Sequence, residues 1–135
     1  MIKIAIVGTG GMARQHAQVF QQIAGCEVVA ACDVVAKRAR DFAKRYDIPA
    51  VYTDVEELLD EVPVEAVAVV TSDAAHAPVS LAAIRRGKHV FCEKPLATTY
   101  PEARKMAAAA KRKGVINMVN LSYRNAAAIH KAREL

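Results

Sequence analysis

The stretch Gly8-Thr9-Gly10-Gly11-Met12-Ala13 decides which fold this sequence predicts. It fits the pattern G-x-G-x-x-A and follows directly on the apolar run Lys3 to Val7. Beyond it, small and apolar residues recur at helical spacing, namely Ala13, Ala17, Phe20 and Ala24. A glycine-rich turn between a strand and a helix predicts a βαβ unit that holds the phosphates of a dinucleotide, and a plain glycine turn without a ligand is the alternative.

The small residues of this turn each have a physical task if the turn holds a pyrophosphate. Gly8 permits the tight turn out of the strand, Gly10 lets the phosphates approach the backbone, and Ala13 lets the helix pack closely on the sheet. Backbone amides of the first helical turn then face the phosphates at the positive end of the helix dipole. The candidate cofactor-binding residues of the turn are therefore Gly8, Thr9, Gly10, Gly11, Met12 and Ala13.

Asp33 strengthens this prediction, because it closes the second predicted strand and lies 20 positions beyond Ala13. That spacing is typical of the carboxylate that binds the adenosine ribose of a dinucleotide, although an aspartate here could instead cap the next helix. A carboxylate repels a 2′-phosphate, and the next residue is Val34, so NAD is favoured over NADP. Lys37 and Arg38 lie one turn further on and keep NADP possible.

The rest of the chain alternates short runs of Val, Ile and Ala with longer amphipathic stretches. This alternation predicts an α/β fold, a Rossmann doubly wound parallel sheet with strands buried on both faces. A length of 135 residues suits a single domain. The predicted strands are Lys3 to Val7, Glu27 to Cys32, a brief one near Val51, Ala66 to Val70, His89 to Cys92, and Val115 to Leu121.

Several residues predict where helices begin and end. Thr53 with Glu56, and Thr99 with Glu102, have the spacing of a capping box at a helix start. Pro78 fits the first turn of a helix, where proline is tolerated. Two glycines, Gly87 and Gly114, each follow a short basic cluster and are predicted to end the preceding helix.

Composition and charge exclude several other classes of protein. The net charge is +5, but the basic residues are spread along the chain, and their small clusters fall at predicted helix ends without interleaved aromatic residues, so a nucleic-acid partner is disfavoured. No apolar run approaches the ~20 residues that span a bilayer, so no membrane association is expected. The three cysteines form no C-x-x-C pair, which argues against a zinc site or a disulfide framework and favours the cytoplasm.

Three further motifs lie where parallel strands end. Glu93-Lys94-Pro95 follows the fifth strand, Thr71-Ser72 with His76 follows the fourth, and Ser122-Tyr123-Arg124 follows the sixth. Ligands bind at the carboxyl ends of the strands in open α/β sheets. In this order, and with the glycine-rich start, the motifs resemble those of the Gfo/Idh/MocA family of glucose-fructose oxidoreductases and inositol dehydrogenases, over essentially the whole chain. Ser72 departs from the family's proline and is expected to loosen that turn.

The resemblance implies roles for the residues of these motifs. Lys94 would be the catalytic residue, beside the nicotinamide, where its ammonium polarises a carbonyl or shuttles the hydroxyl proton during hydride transfer. Glu93 would hold the ribose or orient Lys94, and a cis Lys94–Pro95 peptide is one open possibility. The cofactor-binding set would also contain Arg38, Thr71, Ser72 and His76, although His76 could equally be a helix-start residue without chemical duty. Weaker candidates are His16, expected to pack or cap, and Arg124.

The resemblance also bears on domain organisation. Residues 1–121 are expected to form the dinucleotide-binding domain, and residues 122–135 to begin a connecting helix toward a C-terminal α/β substrate domain that is absent from the chain. The expected function is the cofactor-binding half of an oxidoreductase acting on a sugar, polyol or cyclitol, with the isolated chain binding cofactor but catalytically incompetent. The alternative is a stand-alone nucleotide-binding or redox-sensing module that acts through a protein partner. Exposed apolar residues near the chain end predict a homo-oligomer, namely Leu121, Tyr123, Ile129 and Leu135.

Overall fold

The computed structural model describes residues 1–134, with position 125 described by its backbone alone. Its strands are β1 (Ile2–Val7), β2 (Cys26–Cys32), β3 (Ala50–Tyr52), β4 (Ala66–Val69), β5 (His89–Glu93) and β6 (Asn117–Asn120). Its α-helices are α1 (Gly11–Gln22), α2 (Ala36–Tyr46), α3 (Val55–Glu61), α4 (Asp73–Arg85), α5 (Tyr100–Lys113) and α6 (Ala127–Glu134), with a 3₁₀ turn at Ser122–Asn125. The predicted strands are confirmed, although β6 is shorter than expected and α1 ends before Ala24.

The six strands form one sheet in the order β3-β2-β1-β4-β5-β6, and every neighbouring pair is parallel. The chain runs outward from β1 to β3, then returns to the other side of β1 and runs outward again from β4 to β6. This reversal defines a doubly wound sheet and confirms the predicted Rossmann fold. The reversal lies between β1 and β4, so a crevice opens there at the carboxyl ends of the strands.

Helices cover both faces of the sheet, because alternate residues of each strand point to opposite sides. On β1, Ile4 and Ile6 belong to an apolar cluster with α1 and α2, while Ala5 and Val7 belong to one with α3, α4 and α5. Alanines supply much of both clusters, and Ala13 of α1 is fully buried against the sheet. Small residues at these contacts let the helices approach the sheet closely, as expected for Ala13.

Two of the predicted helix starts are wrong. Helix α3 is capped by Asp54 and not by Thr53: Oδ1 of Asp54 accepts hydrogen bonds from the amides of Glu56 and Glu57. An aspartate one position nearer the helix replaces the threonine, because its carboxylate reaches two free amides. Helix α4 begins at Asp73, so Pro78 lies in its second turn and not its first. In contrast, the Thr99–Glu102 capping box of α5 is confirmed.

The helix ends follow the expected pattern. Gly114 caps α5 with φ +67° and Gly87 follows α4 with φ +73°, both in the left-handed region that glycine favours. The basic cluster at the end of α4 is neutralised within the protein, since Arg86 bonds Asp60 and both Arg85 and Arg86 pair with Glu56 of α3. In residues 1–134, no helix combines the length and the apolar character that crossing a bilayer requires. Leu135 lies outside the described residues.

Candidate cofactor-binding site

A crevice of about 390 Å³ opens at the carboxyl ends of β1, β2, β4 and β5. It collects residues from loops that are far apart in the sequence, as the doubly wound topology requires. The predicted site residues that line it are Gly8, Gly10, Gly11, Met12, Asp33, Arg38, Thr71, Ser72, His76, Glu93 and Lys94. Two predicted residues do not line it: Thr9 bonds the carboxylate of Asp33, and Ala13 is buried on the side of α1 that faces the sheet.

Gly8 turns the chain out of β1 where no side chain fits. Its φ of +90° lies in the left-handed region, and a Cβ placed on it would lie 2.5 Å from the carbonyl oxygen of Val70. The Gly8 amide donates to the carbonyl of Cys32, which ties the turn to the end of β2. Both steric and conformational reasons therefore require glycine here.

The amino end of α1 is open toward the crevice. Gly10 is the N-cap residue, and no side chain caps the free amides of the first turn. A Cβ at either Gly10 or Gly11 would meet no atom within 4 Å, so this face of the turn borders empty space. Uncapped amides at the positive end of a helix dipole fit the phosphates of a dinucleotide.

Asp33 is a buried carboxylate held by three hydrogen bonds. The amide and the hydroxyl of Thr9 both donate to its Oδ2 at 2.9 Å, and the amide of Val35 donates to its Oδ1 at 2.9 Å. Burial alone would raise the pKa of Asp33, but these donors and the nearby Arg38 guanidinium outweigh it, so the pKa of Asp33 is lowered. Val35 is the N-cap of α2, so the alternative of Asp33 as a helix cap is wrong.

A second cavity, of about 420 Å³, adjoins Asp33 on the side of α3 and α4. Its walls include Val34, Val55 and Val79, whose side chains make it more apolar than the crevice. Arg38 borders both spaces. Sequence reasoning missed Val55 and Val79, because isolated valines on two helices carry no signal that they meet beside Asp33.

Glu93 ends β5 and is 6% exposed. Its Oε1 accepts a hydrogen bond from Nδ2 of Asn120 at 2.7 Å and lies 2.7 Å from Nε2 of His16, while its Oε2 accepts from the Lys94 amide at 3.2 Å. Burial would raise the pKa of Glu93, but these bonds outweigh it, so the pKa is lowered. His16 packs against Phe20 and Phe91 as expected, yet it also reaches Glu93.

Sequence reasoning missed Asn120, which bonds the crevice residue Glu93. It ends β6 and lies opposite Glu93 in the register of the two strands. The sequence shows Asn120 only as a polar residue near the carboxyl end of a predicted strand. The pairing of β5 with β6 was needed to show that it lies opposite Glu93.

Lys94 emerges at the junction of two spaces. It lines the crevice, and it also lines a cavity of about 280 Å³ with Leu121, Ser122, Tyr123 and Arg124. The Lys94–Pro95 peptide is cis, which was one of the possibilities that the sequence left open. The structure thus brings Arg124 to the mouth of the site, beside Lys94.

His76 and Ser72 lie in the wall of the crevice, at the carboxyl ends of β4 and β5. His76 is 1% exposed; its Nδ1 lies 2.6 Å from the Pro95 carbonyl oxygen, and its Nε2 lies 3.3 Å from that of Thr71. Ser72 has φ −69°, a value that a proline ring also imposes, so serine keeps the backbone conformation of the family's proline here.

The three thiols differ in exposure. Cys32 and Cys92 are buried, and burial raises the pKa of Cys32 to about 12 and that of Cys92 to about 11. Cys26 begins β2, at the opposite edge of the sheet from the crevice, and is half-buried.

A glycine turn with an open helix end, together with a buried carboxylate directly after the next strand, defines a dinucleotide-binding Rossmann domain. A family model supports this assignment and narrows it: the GFO_IDH_MocA model, described as "Oxidoreductase family, NAD-binding Rossmann fold", matches residues 2–121. The chain therefore belongs to the Gfo/Idh/MocA oxidoreductase family, as its motifs suggested, and its fold is that of the family's NAD-binding domain.

Named relatives match this chain over part of their own length. 1,5-Anhydro-D-fructose reductase of Ensifer adhaerens is 41% identical over 132 residues, which are 98% of this chain and 39% of the relative. Inositol 2-dehydrogenase of Salmonella typhimurium is 39% identical over 115 residues, 84% of this chain and 34% of the relative. The crystal structure of an NAD binding oxidoreductase from Klebsiella pneumoniae superposes with a TM-score of 0.88 at 30% identity, covering 98% of this chain and 38% of that one. The chain thus spans between about one third and two fifths of each.

Proposed function

We propose that this chain is the cofactor-binding half of an oxidoreductase that transfers a hydride between NAD(H) and a carbon bearing a hydroxyl or carbonyl group, in a sugar, polyol or cyclitol. One observation carries the proposal: Lys94, whose amino group can accept and donate a proton, lines the same crevice as the glycine turn and Asp33. The names of the Ensifer and Salmonella relatives support the substrate class.

The residues of the crevice fit a dinucleotide. The free amides at the start of α1 would hold the pyrophosphate, and the carboxylate of Asp33 would accept hydrogen bonds from the adenosine ribose. The apolar cavity beside Asp33 has the chemistry that an adenine ring requires. Thr71, Ser72 and His76 would form the wall on the nicotinamide side. The lowered pKa of Asp33 keeps it anionic at neutral pH, which favours NAD over NADP, while Arg38 leaves weaker NADP binding possible.

Lys94 would carry the proton that accompanies hydride transfer. The bound nicotinamide supplies the hydride acceptor or donor. In the oxidation direction Nζ of Lys94, in its neutral form, takes the proton of the substrate hydroxyl, and in the reduction direction the ammonium returns that proton to the carbonyl oxygen. Glu93 would keep the backbone of Lys94 in place, as its bond to the Lys94 amide suggests.

The proposed substrate half lies in a further domain. We place the cofactor domain at residues 1–121 and the start of a connecting segment at residues 122–135, so that residues 1–135 alone bind cofactor without turnover. The coverage of only 39% and 34% of the two relatives' lengths supports this division. A homo-oligomer and a cytoplasmic location complete the proposal; exposed Tyr123 and Ile129 favour the first, and the absence of disulfides among the described cysteines favours the second.

Calorimetry on the chain tests the cofactor assignment. NADH is expected to bind more tightly than NADPH, and Asp33→Ala is expected to narrow that preference because it removes the charge that repels the 2′-phosphate. Glu27→Ala is the matched control, since it removes an exposed carboxylate from the amino end of the same strand. Equal or tighter binding of NADPH to the unaltered chain contradicts the role of Asp33.

Kinetics of the longer protein test the role of Lys94. Lys94→Ala is expected to lower turnover by ~10² or more while the affinity for NADH changes little, because the lysine acts on the proton and not on the adenosine. Lys113→Ala, at the exposed end of α5, is the control. Unchanged turnover would remove Lys94 from the mechanism. Tight NADH binding without dehydrogenase activity, even in the longer protein, would favour the alternative of a nucleotide-binding module that acts through a partner.

A further inference from the structure

We infer that His16 and His76 are positioning residues, which clamp the backbone on both sides of Lys94 and so fix where its ammonium group can reach. The inference rests on the proposed function, in which Lys94 moves the substrate proton. It concerns two buried imidazoles that contact neighbours of Lys94 in the chain: His16 contacts Glu93 and His76 contacts Pro95.

The clamp before Lys94 comes from α1. Nε2 of His16 lies 2.7 Å from Oε1 of Glu93, and His16 is 8% exposed. A carboxylate with a lowered pKa is ionised at neutral pH and only accepts hydrogen bonds, so Nε2 of His16 must carry the proton. A charge-assisted bond of this kind is shorter and stronger than a neutral one. It fixes the carboxylate whose other oxygen accepts from the Lys94 amide.

Asn120 supports the same carboxylate from β6. Its Nδ2 donates to Oε1 of Glu93 at 2.7 Å, so one carboxylate oxygen is shared by α1 and β6. The Glu93 side chain is therefore held by two neighbours, and it cannot rotate without breaking two hydrogen bonds in a buried place. This arrangement converts a flexible glutamate into a fixed acceptor for the Lys94 amide.

The clamp after Lys94 comes from α4. Nδ1 of His76 lies 2.6 Å from the carbonyl oxygen of Pro95, and His76 is 1% exposed. Carbonyl oxygens accept but cannot donate, so a neutral imidazole can donate to only one of the two carbonyls that His76 faces, and the shorter contact places its proton on Nδ1, toward Pro95. Helices α1 and α4 cover opposite faces of the sheet. The segment that carries Lys94 is thus held from both faces at once.

The two clamps have a consequence for proton transfer. Lys94 has a long side chain that is itself exposed, so its position depends on where its backbone begins. A misplacement of ~1 Å at a reacting group can cost ~10² in rate. Histidines that never touch the substrate would therefore change turnover through the position of Lys94.

Hydrogen exchange of the Lys94 amide in the cofactor-free chain tests the first clamp without any activity assay. His16→Phe keeps the aromatic packing against Phe20 and Phe91 but removes the donor to Glu93. It is expected to speed exchange of the Lys94 amide by about tenfold, as the loss of a hydrogen bond to a charged group implies. His89→Phe is the matched control, since it removes an imidazole from the amino end of β5, the strand that ends at Glu93.

Two further variants keep the test decisive if His16→Phe does not fold. The amide of His16→Gln reaches as far as Nε2 and can donate to Glu93, whereas the amide of His16→Asn is too short. We expect slow exchange in the glutamine variant and fast exchange in the asparagine variant. Equal Lys94 exchange in the two variants overturns the inference for His16.

His76 is tested in the same way. His76→Asn places its amide near the position of Nδ1 and keeps the bond to Pro95, whereas His76→Leu removes it. The leucine variant is expected to speed exchange of the Lys94 amide, and the asparagine variant to restore protection. Equal exchange in these two variants overturns the inference for His76.

Kinetics of the longer protein then connect the clamps to catalysis. His16→Asn is expected to lower kcat by about tenfold, with a nearly unchanged KM for NADH and rescue in His16→Gln. A loss of NADH affinity in place of kcat contradicts a positioning role. If Lys94→Ala itself leaves turnover unchanged, the proposed function fails, whereas the exchange measurements still report whether the clamps exist.

Discussion

Thr9 gives Asp33 two hydrogen bonds, one from its amide and one from its hydroxyl, and both end on the same carboxylate oxygen at 2.9 Å. The second residue of the glycine-rich turn is therefore not a spacer. It links the end of β1 to the end of β2 and leaves Oδ1 of Asp33 with the Val35 amide as its protein donor among the described residues. With a single donor, Oδ1 keeps a lone pair that it can offer to a ribose hydroxyl.

Replacing Thr9 with valine tests this link. Thr9→Val keeps the β-branched shape and the amide bond but removes the hydroxyl donor from a buried carboxylate. We expect a loss of about 1–2 kcal/mol in the free energy of unfolding, measured with urea at pH 7. Thr53→Val is the control, because Thr53 is exposed; a loss of the same size in that variant would contradict the importance of the link.

Glycines 8 and 11 should respond differently to the same substitution. Gly8→Ala places a methyl group 2.5 Å from the Val70 carbonyl oxygen at a positive φ, so we expect a loss of about 1–3 kcal/mol of stability. Gly11→Ala has open space and begins a helix, so we expect no loss or a small gain. Thermal and urea unfolding of both variants measure the contrast, and similar stabilities would show that the turn relaxes.

Serine at position 72 offers a stabilising substitution. Its φ of −69° already suits a proline ring, and the hydrogen bonds of residues 1–134 include none from its amide. Ser72→Pro should therefore raise the free energy of unfolding by about 0.4–1 kcal/mol, because it restricts the unfolded chain. Urea unfolding measures the gain, and a decrease in stability would mean that the turn depends on the serine.

The buried, hydrogen-bonded carboxylate of Glu93 should make the folded chain less stable in acid. The pKa of Glu93 is lowered in the folded protein, so the stabilisation that it provides is complete above the unfolded pKa of about 4.3 and is lost as pH falls through the lower folded value. Between pH 7 and pH 3, the unaltered chain should therefore lose more stability than Glu93→Gln. Unfolding at both pH values tests this, and the exposed Glu27→Gln should behave like the unaltered chain.

The surface around the 3₁₀ turn should promote self-association. Tyr123 is 83% exposed and Ile129 is 45% exposed, and α6 buries no residue. Apolar side chains grouped in this way favour association, and a two-fold dimer is the simplest form. Sedimentation over a range of concentrations should show dimers that Ile129→Ser weakens and that Val19→Ser, at an exposed position of α1, does not. A monomer at every concentration would refute this prediction.

The order of strands and helices could be predicted from the sequence because both signals are local. Buried parallel strands are continuous apolar runs, and Gly8 and Asp33 stand at fixed distances within one βαβ unit. The helix starts were harder, because capping is a competition between neighbours. Asp54 displaced Thr53 since its carboxylate reaches two amides, and the start of α4 was set by the loop after β4 and not by Pro78.

The contacts between distant elements could not be predicted from the sequence. Glu93 and Lys94 were identified by their motif, but the partners of Glu93 lie on α1 and β6, 77 and 27 positions away. The sequence shows His16 only as a histidine on an apolar helix face. Its hydrogen bond depends on how closely α1 packs on the sheet, which is a property of the whole fold.

All six strands run in the same direction, so their carboxyl ends lie together on one side of the molecule and their amino ends lie together on the other. Every crevice residue lies at the carboxyl ends, whereas Cys26 begins β2 at the other end and is the more accessible of the three thiols. The raised pKa values of Cys32 and Cys92 keep those two sulfurs protonated and unreactive at neutral pH. Cys26 is therefore a labelling site present in the unaltered chain: a maleimide dye or a surface tether can be joined to its sulfur while the crevice stays free.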